Sequence, residues 1–172
     1  KQNLSFLLKN EINLYAAHIP LHLHPRLGNN IQLCRALSLR KIRKFGQYEG
    51  NLLGFEGELT KLFSLAELSQ KINKKIGGTS KILNFGKKRF KRIGIVSGGG
   101  AKNLIEAIEK GLDCFITGEH AHENYHLAKE SKINVIYIGH YFSEKLGVMA
   151  LGKDLERKFK VKTVFIDEPT LI

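Results

Sequence analysis

The chain has 172 residues, 42% of them hydrophobic and 26% charged, with a formal net charge of +12 at pH 7. That length suits one domain, or two small lobes sharing a core, and its longest apolar runs, such as Ile133 to Ile138, are far too short to span a bilayer. The N-terminal residues lack the pattern of a secretory signal, and Cys34 and Cys114 fall in apolar segments without a C-x-x-C pattern, so buried free thiols in a cytoplasmic protein are expected. In chain order, Asn3 to Lys9 reads as the tail of a helix ended by Asn10, and Ile12 to His18 as a buried strand. His22 to Asn30 reads as a loop broken by Pro25 and Gly28, with Asn29 or Asn30 capping a short helix over Ile31 to Leu37. Gln47 to Leu59 is glycine-spaced and strand-like. Ser64-Leu65-Ala66-Glu67 is a capping box that opens an amphipathic helix to about Ile76, stopped by Gly77.

The second half alternates more regularly. Strands are predicted over Lys81 to Phe85, Arg92 to Val96, Asp113 to Thr117, Asn134 to Ile138 and Val161 to Asp167. Helices are predicted over Lys102 to Lys110, Glu123 to Glu130 and Ser143 to Phe159. Strand–helix alternation of this kind argues for an α/β fold with a largely parallel sheet.

Much of the positive charge lies in Arg40-Lys41-Ile42-Arg43-Lys44, Lys74-Lys75 and Lys87-Lys88-Arg89-Phe90-Lys91-Arg92. A basic field concentrates anions, so nucleotides, phosphates or nucleic acid are plausible partners. Solvated faces that keep the chain soluble would look the same, and no zinc finger, RNA-recognition signature or helix-turn-helix supports nucleic acid.

Four segments carry candidate chemistry. Gly139-His140-Tyr141-Phe142-Ser143-Glu144 sets an imidazole and a carboxylate four residues apart where a strand hands over to a helix, which puts both on one helical face. Histidine nitrogen with glutamate oxygen is a normal donor set for zinc, iron or manganese. His18, His22 and His24 place three imidazoles in seven residues beside a Gly/Asn-rich loop. Thr117-Gly118-Glu119-His120-Ala121-His122 follows a strand, where open α/β sheets hold ligands; Glu119 and His122 could support a metal-bound water or move its proton. Ser97-Gly98-Gly99-Gly100-Ala101 reads either as a phosphate cradle or as a tight turn. The turn is favoured, because Asn103 stands where G-x-G-x-x-G needs its last glycine.

Taken together and in order, Tyr15 to Leu21 with Gly28-Asn29-Asn30, then Ile95 to Ala101, Asp113 to Glu119 and Gly139 to Gly147 resemble the markers of one family. It is the dinuclear metal-centre group of NGG-interacting-factor-three-like proteins, also known as GTP cyclohydrolase 1 type 2 homologs, and the resemblance covers essentially the whole chain. It implies a two-lobed α/β subunit, with lobes at 20–140 and at 1–19 plus 141–172, a toroidal homohexamer, and two divalent metals per subunit. It assigns metal-ligand roles to His140 and Glu144 through the G-H-x-x-[ST]-E marker. A further family ligand is an aspartate after Pro-Leu; here that place is His22, which can bind the same metals but cannot bridge two ions. Family members also carry an earlier His-His segment, and the chain is expected to lack it. The implied function is a metal-dependent hydrolase acting on a nucleotide or other anionic substrate. The alternative is a non-enzymatic metal-binding or regulatory ring able to contact nucleic acid through its basic surface.

Overall fold

The computed structural model describes residues 1–170. Within them, three consecutive buried strands form the centre of a mixed sheet: β4 (Phe90–Val96), β5 (Cys114–Thr117) and β6 (Asn134–Tyr137). They run parallel, with Ile95 opposite Ile116 and Ile116 opposite Ile136. Their near-continuous apolar sequence follows from burial on both faces. Ile93, Ile95, Cys114, Ile116 and Ile136 point to one face, and Val96, Phe115, Val135 and Tyr137 to the other. The first face is covered by α3 (Asn29–Ala36), α4 (Leu65–Ile76) and α7 (His140–Phe159), and the second by α5 (Leu104–Glu109) and α6 (Asn124–Glu130).

Three antiparallel strands complete the sheet in the order β1-β2-β4-β5-β6-β3. β1 (Arg40–Tyr48) and β2 (Asn51–Phe63) form a hairpin outside β4, and β3 (Lys81–Leu83) lines the opposite edge beside β6. The α/β class therefore holds, with parallel pairing confined to the central three strands. The capping box is formed as expected: Ser64 Oγ accepts from Glu67 N at 3.2 Å and Glu67 Oε2 accepts from Ser64 N at 2.7 Å.

Several expected elements differ. The strand-like run Gln47 to Leu59 straddles the hairpin, because Glu49 and Gly50 adopt positive φ in a two-residue turn between Tyr48 and Asn51. Ile12 to His18 follows α1 (Gln2–Lys9) as an irregular segment outside the sheet, with Leu14 81% and Tyr15 87% exposed. No strand among the described residues offers it a ladder, so it is not a buried strand. Val161 to Asp167 is likewise irregular and unpaired; it folds back on α7, where Thr163 N donates to Glu156 Oε1 at 3.0 Å and Tyr141 hydroxyl donates to Asp167. His22 is not in a loop: it belongs to a short helix, α2 (Ile19–Leu23).

The cap of α3 is Gly28, one residue ahead of the expected asparagines. A Cβ at Gly28 would lie 2.4 Å from Leu21 O and 2.6 Å from His24 O, so only glycine lets α2 and α3 meet there. Asn29 and Asn30 are freed from capping and point into the core. Asn30 Nδ2 donates to Leu53 O at 2.9 Å while its Oδ1 accepts from Ser97 N at 2.7 Å, and Asn29 Oδ1 accepts from Gly147 N at 3.1 Å. These bonds tie α3 to β2, to the end of β4 and to α7. The tie matters because the loops after β4, β5 and β6 all open on one side, at the carboxyl ends of the parallel strands.

Candidate metal centre

The three loops bring Ser97-Gly98, Gly118-Glu119 and Gly139-His140 together. Glu119 N donates to Gly98 O at 2.9 Å and Gly139 N to Gly118 O at 3.0 Å, so the loops are bonded to each other. Ser143, fully buried in the first turn of α7, locks the arrangement: its Oγ accepts from Gly98 N at 2.8 Å and donates to His140 O at 2.7 Å. Helix α7 begins three residues earlier than expected, which puts His140 and Glu144 together on its first turn.

Glu144 Oε1 is the meeting point. His22 Nε2 lies 3.1 Å from it and His140 Nε2 3.4 Å. The opposite nitrogen of each ring is held: His22 Nδ1 is 3.0 Å from Ser97 Oγ, and His140 Nδ1 is 2.5 Å from Glu119 Oε1. A ring fixed through Nδ1 presents Nε2 in one direction, the usual device for orienting a metal-binding histidine. His18, one turn before His22, joins the group: His18, His22 and Glu144 each offer a donor atom, and these atoms lie within 4.8 Å of one another. His22 is buried, Glu144 half-buried and His18 exposed, so the cluster opens to solvent on the His18 side.

The electrostatics follow from this packing. Burial pushes the Glu144 carboxyl up, but the hydrogen bond and charge of His22, then the charges of His140 and His18, hold it below its ordinary range. Burial pulls the His140 imidazole down, and the Glu119 hydrogen bond with the Glu144 and Glu119 charges reverses this to a net upward shift.

The His18, His22 and Glu144 donors fit a divalent ion. Two donors about 2.1 Å from one ion stand roughly 3 to 3.4 Å apart at octahedral to tetrahedral angles, and the His22–Glu144 and His140–Glu144 separations fall in that window. Imidazole nitrogen and carboxylate oxygen suit zinc, iron or manganese.

The structure thus gathers His22, His140 and Glu144 from distant segments, and adds His18 and Glu119 around them. His24 stays out: its Nδ1 accepts from Arg26 N and Leu27 N at 3.2 and 3.1 Å and closes a turn. His122 lines a separate pocket beside α6. The glycine run after β4 is a close-packing turn, since Gly98 N is already bonded to Ser143 and a Cβ on Gly98 would lie 2.1 Å from Glu144 Oε1. Ser97, Ser143 and Asn30 carry no sequence signal of their own. Only their adjacency to glycines and to the G-H-x-x-[ST]-E pattern marks them.

A mixed α/β protein with a His/Glu cluster at the carboxyl ends of its parallel strands is the class that fold and site define. The chain matches the model of the family described as Duf34/NIF3 (NGG1p interacting factor 3) over residues 1–170, and it belongs to that family. Relatives named GTP cyclohydrolase 1 type 2 homolog include one from Archaeoglobus fulgidus, 42% identical over 99% of this chain and 67% of its own length. Another, from Pyrococcus horikoshii, is 45% identical over 98% of this chain and 68% of its own. Among solved structures, protein ybgI, of unknown function, superposes with a TM-score of 0.90 at 33% identity, over 97% of this chain and 66% of that one. TTHA1606 from Thermus thermophilus gives 0.89 at 32% identity, over 99% and 67%. The chain spans about two thirds of the length of these relatives. No helix among the described residues is long and apolar enough to cross a membrane.

Proposed function

We propose that the chain binds a divalent metal through His22, His140 and Glu144, with His18 as a further donor, and serves a metal-dependent hydrolase acting on a nucleotide or other anionic substrate. The observation that carries this reading is the convergence of two pre-oriented Nε2 atoms on one carboxylate oxygen, at 3.1 and 3.4 Å. A divalent ion held there would lower the pKa of a bound water toward neutrality and polarise a phosphoryl or ring carbonyl oxygen. Glu119, bonded to His140 Nδ1, holds that ring in place. Ser97 does the same for His22. The net charge of +12 draws anions toward the chain. The relatives' printed name supports a cyclohydrolase-type reaction on a purine nucleotide. His18, His22 and Glu144 are the donors close enough to one another to share one ion; His140, which meets the cluster through Glu144, a second ion, and the hexameric ring implied by the family resemblance belong to the same proposal.

The nucleic-acid reading gains less support. Lys87, Arg89 and Lys91 each lie within ion-pairing distance of a carboxylate of this chain (Asp113, Glu67 and Glu58), so part of the basic run is engaged internally.

The deciding experiment is elemental analysis of the purified protein with a GTP turnover assay. Zinc, iron or manganese should co-purify, and His22→Ala and Glu144→Ala should each strip it. Metal content unchanged in both variants overturns the metal reading. Bound metal with no turnover across a nucleotide panel removes the hydrolase and leaves the scaffold.

A further inference from the structure

A second concave site lies on the other face of the sheet from α7 and is unused by the metal centre. It is a pocket of about 500 Å³ between the edge strand β3 and α6. Lys81, Ile82 and Leu83 form one wall. His120, His122, Tyr125, His126 and Tyr137 supply aromatic rings around the rest. These five aromatic rings come from the loop after β5, from α6 and from β6.

The rings are arranged rather than scattered. His120 stands edge-on to Tyr137 with centroids 6.1 Å apart. Tyr125 is braced edge-on by Phe85 on one side and His126 on the other, both at 5.3 Å. Tyr125 is nonetheless 45% exposed, so ring surface remains free above its braces. The floor is firm: Tyr137 is 6% exposed and its ring belongs to the packed core under α6. Pockets of this size hold small organic ligands, and aromatic faces held open to solvent are stacking platforms for planar heterocycles. Imidazoles donate or accept hydrogen bonds according to tautomer, which suits the mixed edge of a base. Lys81 adds one cation to the lining.

We infer that this pocket binds the base of a purine nucleotide, stacked on Tyr125 and edged by His120 and His122. Peptide continuity gives the pocket a physical link to the metal centre. His120 follows directly on Glu119, the carboxylate bonded to His140, and Tyr137 lies two residues before Gly139. The choice of a purine rests on the nucleotide substrate proposed above, whereas the pocket is independent of the metal reading, because none of its residues is a proposed metal ligand.

The test is calorimetric titration of EDTA-treated protein with GMP and, separately, with ribose 5-phosphate. GMP should bind and ribose 5-phosphate should bind at least tenfold more weakly. Stacking of a base on an aromatic ring contributes about 1–3 kcal/mol, so Tyr125→Ala should weaken GMP at least fivefold and Tyr125→Phe should retain it. His122→Ala should also weaken GMP, whereas Tyr48→Ala, at a similarly exposed tyrosine on the β1/β2 hairpin, should not. All these positions are exposed, and circular dichroism will verify the fold of each variant. The inference is overturned if GMP binds no more tightly than ribose 5-phosphate. It is equally overturned if GMP binding is absent at millimolar concentration or indifferent to Tyr125→Ala and His122→Ala. Because the protein is metal-free in this experiment, either result is separate from the fate of the metal reading, which metal content alone decides.

Discussion

At the scale of single residues, Glu144 and Gly98 depend on each other. Gly98 has φ +64°, and a Cβ there would sit 2.1 Å from Glu144 Oε1 and 3.2 Å from His140 Nε2. The absent side chain is what lets the loop after β4 close against the carboxylate. Gly111 separates the two consequences of adding a methyl, since it has φ +61° and nothing within 4 Å of its Cβ position. Gly111→Ala should therefore show only the backbone cost of a left-handed alanine, about 1–2 kcal/mol, with metal content unchanged. Gly98→Ala should show that cost and also displace Glu144, so metal content falls. Parallel thermal melts and metal analysis of the two variants make the comparison; equal metal content in both would break the link between Gly98 and the centre. Glu119 acts one step further out, through the His140 ring. Glu119→Gln keeps a hydrogen-bond partner but loses the charge, and orienting carboxylates of this kind are worth roughly 10- to 100-fold in metal affinity. Competition with a chelator measures it, and an unchanged affinity would reduce Glu119 to a surface residue.

At the scale of elements, what could be read from the sequence divides by how each element is buried. β4, β5 and β6 are covered on both faces, so their apolar runs announce them, and α4 carries its start signal in Ser64 and Glu67. β1 gives no such signal: it is an edge strand, and Arg40, Lys41, Arg43 and Lys44 are exposed along it, a pattern identical in composition to a solvated charge run. The apolar run from Ile12 misled in the opposite sense, because an apolar run reports a surface able to be buried and not the neighbour that buries it. The site was legible in the same uneven way. His140 and Glu144 share one helix turn and so betray themselves by spacing, while the stitching by Asn30, Ser97 and Ser143 joins segments 45 to 75 residues apart. Long-range bonds of that kind leave no periodicity. The capping box offers a quantitative check at this scale. Ser64→Ala removes the acceptor for Glu67 N and should lower stability by about 1 kcal/mol in urea unfolding. A value near zero would mean that the packing of Leu65, Leu68, Ile72 and Ile76 alone fixes the start of α4.

For the whole molecule, charge and stability meet at Asp113, at the start of β5. The chain carries 28 lysines and arginines against 16 carboxylates, so each carboxylate lost to protonation adds to an already large positive charge. Asp113 is the buried one that ties the basic run to the sheet: Oδ1 takes Lys87 Nζ at 2.7 Å, and Oδ2 accepts from Arg92 N at 3.0 Å and Lys91 N at 3.3 Å. Burial alone would raise its pKa; the Lys87 hydrogen bond, the two backbone N–H groups and the Lys87 charge outweigh it and leave the carboxyl below its ordinary value. Because the folded pKa is the lower one, the folded state binds fewer protons here than the unfolded chain. The stabilisation is then fully present above the unfolded value, near pH 4, and drains away as pH falls through the folded one. Hydrogen bonds to a charged group typically contribute on the order of 2 kcal/mol, so Asp113→Asn should be destabilised by about that much at pH 7. The gap between the two proteins should close as the pH is lowered below about 4. Urea unfolding of both at pH 7, 5 and 3 tests this, and a gap that is the same at all three would show that the amide fails there for reasons of packing and that the charge of Asp113 contributes nothing.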